Sequence, residues 1–101
     1  MDTIARLQDW YASHCNGDWE HSYGVKIFTL DNPGWAVHIN LLETELEGAH
    51  FDIVSVDNSE TDWWRCEVKD GKYIGNCGSR NLETVLDIFI KWADQCEARK
   101  P

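Results

Sequence analysis

Trp63-Trp64-Arg65-Cys66-Glu67-Val68-Lys69-Asp70-Gly71-Lys72-Tyr73-Ile74-Gly75-Asn76-Cys77 reads as two extended segments joined by a two-residue turn. Asp-Gly suits the tight hairpin turn whose twist matches that of paired strands, because both residues tolerate a left-handed backbone. The turn implies a register in which Val68 opposes Tyr73, Cys66 opposes Gly75 and Trp64 opposes Cys77. Side chains alternate across a strand, so these residues share an inner face while Trp63, Arg65 and Glu67 point outward.

The same period of two recurs upstream, where Trp35, Val37, Ile39 and Leu41 alternate with Ala36, His38 and Asn40. Asp31-Asn32-Pro33-Gly34 supplies a turn, with proline fixing one φ and glycine free to take a positive one, and joins Val25 to Leu30 with Trp35 to Leu41. Phe51 to Val56 forms a further strand, followed by the polar loop Asp57 to Thr61. At the two ends the period becomes helical. Ile4, Leu7, Tyr11, His14 and Cys15 share one face with Trp10 at its border, Asp2 or Thr3 caps the start, and Asn16-Gly17 ends the helix. Leu82, Val85, Leu86, Phe89, Ile90, Ala93 and Cys96 form a broad apolar face, preceded by Ser79 or Asn81 as cap. The expected fold is α+β: a two-layer sandwich of about five antiparallel strands in a meander, with the N-terminal and C-terminal helices packed on one face. Residues 1–101 form one domain with a frayed tail from Glu97 to Pro101.

The chain has 101 residues, 43% of them hydrophobic, and only two prolines, a composition that supports one core and gives no sign of disorder. Its longest apolar run, Val85 to Ala93, is broken by Asp87 and Lys91, too short and too charged for a membrane span. Met1 to Arg6 lacks the order of a secretory leader, so a cytoplasmic location is expected and Cys15, Cys66, Cys77 and Cys96 read as reduced thiols. No CxxC spacing occurs, and neither a metal nor a cofactor is implied. The net charge of −9 argues against nucleic acid or an anionic membrane as partner and favours a protein with a basic surface. No Lys or Arg lies between Lys26 and Arg65, whereas Asp31, Glu43, Glu45, Glu47, Asp52, Asp57, Glu60 and Asp62 all do.

Three places could carry chemistry. Asp18-Trp19-Glu20-His21 packs acids, an indole and an imidazole into one connection, where they could contact a partner, work as acid and base, or satisfy local backbone while Trp19 plugs the core edge. Trp63, placed outward by the hairpin register, could anchor an interface. Cys77 precedes Gly78-Ser79-Arg80-Asn81 and a helix, an arrangement in which a thiolate could feel helix-end amides and Arg80. The sulfurtransferases and phosphatases that work this way use parallel sheets, which the pattern here does not suggest.

The combination of Trp10-Tyr11, Cys15-Asn16-Gly17-Asp18-Trp19-Glu20-His21, Tyr23-Gly24, Leu30-Asp31-Asn32-Pro33-Gly34-Trp35, Glu45-Leu46-Glu47-Gly48, Cys77-Gly78 with Arg80-Asn81-Leu82, and Trp92 resembles the immunity protein 53 family of bacterial polymorphic toxin systems. The resemblance implies a non-enzymatic cytosolic protein that binds and neutralises a cognate toxin domain, with no catalytic residue. Asn16 stands where an acidic residue is expected in that family. The expected toxin contacts are Asp18, Trp19, Glu20 and His21 from the shared motif, with Glu43, Glu45, Asp57, Glu60 and Trp63 as acidic or aromatic surface positions. Beside this reading stand a thiol-dependent enzyme centred on Cys77 and a general protein-binding adaptor.

Overall fold

The computed structural model of the protein describes residues 2–98. The turn at Asp70-Gly71 has φ values of 53° and 75°, and the strands it joins pair Val68 with Tyr73, Cys66 with Gly75 and Trp64 with Cys77. The inner face derived from the turn is therefore the observed one. The elements run α1 (Thr3–His14), α2 (Trp19–Ser22), β1 (Val25–Leu30), β2 (Gly34–Asn40), β3 (Val54–Asp57), β4 (Trp63–Lys69), β5 (Lys72–Cys77) and α3 (Leu82–Ala98). The five strands form one open antiparallel sheet in an α+β fold.

Strand order departs from a simple meander: it is β1-β2-β5-β4-β3, so β5 and not β3 lies beside β2. The chain between β2 and β3 is spent on core rather than on pairing, since Leu41 and Leu46 are fully buried and Phe51 packs edge-on against Tyr73 and Trp92. The strand expected over Phe51 to Val56 accordingly shrinks to Val54–Asp57. Gly34 serves close approach rather than a positive φ: a Cβ there would lie 2.3 Å from the Cys77 carbonyl oxygen.

Helix α3 lies across β5, β4 and β2, and α1 docks mainly against α3. The helix comes close to the sheet at Gly75, where a Cβ would sit 2.3 Å from Val85 Cγ1. Tyr73 donates its hydroxyl to the Val85 carbonyl at 2.7 Å, and Phe89 packs edge-on against Trp10 with ring centroids 4.9 Å apart. The buried face of α1 is rotated from the expected one: Thr3, Leu7 and Trp10 are buried, while Ile4 and Tyr11 are 46% and 38% exposed. Both stripes have helical spacing and share Leu7, and tertiary contacts choose between them. Asp2 caps α1 by accepting from the Ile4 amide. At the other end of the chain α3 runs through Glu97 to Ala98, which the sequence placed in a frayed tail, and residues 99–101 of that tail lie outside the described residues.

Candidate functional site

The connection expected to carry Asp18 to His21 contains a single helical turn, α2, with Asp18 at its N-cap and Trp19, Glu20 and His21 within it. Asn16 starts it, its side-chain oxygen accepting from the Asp18 and Trp19 amides at 2.9 and 3.0 Å. Glu20 accepts from the amides of Asn16 and Gly17 at 2.9 and 2.8 Å; hydrogen bonds from its own amide and from these two hold its carboxyl below the usual range. Trp19 is core: it is 2% exposed and donates its indole N–H to the Leu42 carbonyl at 3.0 Å. Asp18 and His21 remain exposed. The motif thus divides into two residues that hold the turn in place and two that face solvent.

Glu43, Glu45 and Glu47 lie on the segment after β2 with unlike roles. Glu43 and Glu47 are exposed, and the Glu43 amide donates to Glu47 Oε1 at 2.9 Å. Glu45 instead turns toward α1, accepting from Trp10 Nε1 at 3.0 Å and pairing with His14 Nε2 at 2.5 Å, its side chain only 14% exposed. Burial alone would raise its carboxyl, but the hydrogen bonds from His14, its own amide and Trp10 outweigh burial and hold it below the usual range.

Asp57, Glu60 and Trp63 come together. They line one depression of about 810 Å³ at the end of the outer sheet face, with Asn32 and Arg65 on its walls. Asp57 pairs with Trp63 across β3 and β4, and the intervening loop is tied down from within. Asn58 and Ser59 donate their amides to the Asp62 carbonyl at 3.0 and 3.1 Å. Asn81, which the sequence offered as a helix cap, accepts from the Trp63 amide at 3.2 Å and donates to Asp62 at 3.0 Å. Asp57 and Glu60 are exposed and form no ion pair among the described residues. A half-buried indole flanked by two free carboxylates can take a cationic side chain, which both attract and the ring face accommodates. The sequence put Arg65 outward beside Trp63 through the hairpin register, whereas nothing in it placed Asn32 here.

The sequence profile of a family described as immunity protein 53 matches residues 4–94. The chain belongs to the immunity protein 53 family. No curated protein and no solved structure matches it.

In this immunity protein 53 member the thiol-enzyme reading finds no support. Cys77 is fully buried, and burial pushes its thiol up to about 11, so the nucleophilic thiolate is scarce at neutral pH. Cys15 is exposed, Cys66 is buried with its thiol likewise raised by burial, and Cys96 is half-buried; all are free. Among the described residues no group of three or more His, Cys, Asp or Glu is placed to hold a metal, and no helix is long and apolar enough to cross a membrane.

Proposed function

We propose that this protein binds and neutralises a cognate toxin domain of a bacterial polymorphic toxin system, acting as one domain, in the cytosol and without a cofactor. The observation that carries the proposal is the convergence of Asp57, Glu60 and Trp63 on one depression in a chain of net charge −9. A toxin with a basic surface is drawn in by the long-range field, and a Lys or Arg side chain then settles against the Trp63 ring between the two carboxylates. Inhibition needs no chemistry from this chain, because occupying the toxin's functional surface is sufficient.

Asp18, His21 and Glu43 are exposed and extend the set of contacts, whereas Trp19, Glu20 and Glu45 act from beneath by fixing the backbone that presents them. The test is co-purification with the toxin domain encoded beside the gene, together with a survival assay in a sensitive host. A stable complex with rescued growth that is lost on Asp57→Lys/Glu60→Lys supports the proposal. A complex indifferent to that charge reversal moves the contact elsewhere, and no complex between two folded proteins removes the toxin reading.

A further inference from the structure

At the opposite end of the outer sheet face lies a pocket of about 380 Å³ between α2, β1, β2 and the start of β5. Its ionisable lining includes Lys26, Lys72, His21 and His38, with Asn40 and Ser22 beside them, and no carboxylate side chain lines it. This is unexpected in a chain with 18 acidic and nine basic residues. Here neither Lys26 nor Lys72 pairs with a carboxylate among the described residues.

The strand register explains how the cations meet. Lys26 stands directly opposite His38 across β1 and β2, and Asn40 directly opposite Lys72 across β2 and β5. All four share the outer parity, so the lysines approach from strands on either side of β2, roughly 12 Å apart at the backbone from two strand spacings and a two-residue offset. Lys72 also stands opposite Lys69 across the β4–β5 hairpin, and like charges directly opposed on a sheet oppose pairing. Asn40 Oδ1 already accepts from the Leu42 amide at 3.1 Å, which leaves Nδ2 as a donor. Donors and positive charge are concentrated in a concave site that the protein itself does not neutralise.

We infer that this pocket binds a compact oxyanion, a phosphate or carboxylate group, held by Lys26, Lys72 and the side-chain donors around them. The ligand is small and not a nucleic acid, because net charge −9 repels an extended polyanion. A single compact group, by contrast, sits within about one Debye length, ~8–10 Å, of its own cations. The inference does not rest on the toxin reading: it needs no protein partner, and His21 is the one residue this pocket shares with the contacts proposed above.

The experiment is a titration of the full chain at fixed ionic strength with inorganic phosphate in one arm and acetate in the other, followed by NMR of the His21 and His38 rings and the Asn40 amide. The expected result is saturable shifts confined to these groups below about 20 mM anion, weakened about tenfold or more in Lys26→Gln/Lys72→Gln. Tighter binding of phosphate assigns the site to phosphate groups, and equal or tighter binding of acetate assigns it to carboxylates. Shifts that rise without saturating, or that persist unchanged in the double variant, overturn the inference. Should Lys26→Gln/Lys72→Gln lose the native spectrum, Lys26→Gln alone gives the same reading, with a weakened site expected and an unchanged one fatal to the idea.

Discussion

The two ends of the outer sheet face are joined by the same strands yet carry opposite charge. Where β3 meets β4, Asp57 and Glu60 flank Trp63, and Asp31 follows β1 at the neighbouring turn. At the far end Lys26, Lys69 and Lys72 gather with His21 and His38. A six-residue strand such as β1 spans about 20 Å at ~3.3 Å per residue. That is about two Debye lengths at physiological salt, so each end presents its own charge to a partner. Net charge alone therefore misdescribes the face. A value of −9 sets the far field, and strand parity sets what a ligand meets on contact.

The largest expected effect comes from erasing the acidic end. Asp57→Lys/Glu60→Lys combined with Trp63→Ala should weaken the toxin complex about a hundredfold or more, ~3 kcal/mol, as loss of an interface anchor does. Calorimetry would read this, and the lysine variant of the cationic end should retain wild-type affinity; equal losses at both ends would mean that the ends do not act separately. Second comes Glu45, an acid belonging to neither end. Glu45→Gln should destabilise the fold by about 2 kcal/mol, the scale of a half-buried charge-assisted hydrogen bond, with toxin association unchanged.

The sign of its pH dependence follows from the lowered carboxyl. A group more acidic in the folded state than in the unfolded one stabilises above its unfolded value, and that stability is lost as pH falls through the folded value. Wild-type chemical denaturation should lose this contribution below about pH 4, and Glu45→Gln should flatten that part of the profile.

A smaller effect distinguishes the ends by salt. Raising ionic strength from low to physiological should slow toxin association several-fold, up to about tenfold, with little change in dissociation, a split that stopped-flow resolves; a change confined to dissociation would remove the steering role of the acids. The smallest expected effect is at Cys77. Alkylation of the native protein should leave it unmodified while exposed Cys15 reacts, since burial raises the Cys77 thiol to about 11; rapid native modification at Cys77 would reopen the thiol reading.

Legibility followed the range of the interactions. Asp70-Gly71 fixed one register locally and through it placed Trp63 and Arg65 on the outer face and Cys66 and Tyr73 on the inner. The place of β5 beside β2 was not readable, because it rests on pairs such as Ile39 with Tyr73, separated by the whole β3–β4 ribbon. The two stripes of α1 were equally helical in spacing, and only the position of α3 and the Glu45 segment decided for Trp10 over Tyr11. For the same reason Glu45 read as a surface acid: its partners Trp10 and His14 are over 30 positions away. The acidic end was half legible, with its acids visible in composition and its convergence with Asn32 hidden in the turn geometry.

The position of β5 between β2 and β4 bears on how the protein is made. During synthesis β1–β2 and β3–β4 emerge as separate ribbons, and the strand that joins them is the last of the sheet to leave the ribosome. Val85, which fills the space above Gly75, comes later still. The sheet therefore assembles late in translation, from long-range pairings that close slowly. A message cut before α3 yields an incomplete fold rather than a weaker binder, and degradation of such fragments, followed by pulse-chase, should be fast compared with that of the full chain.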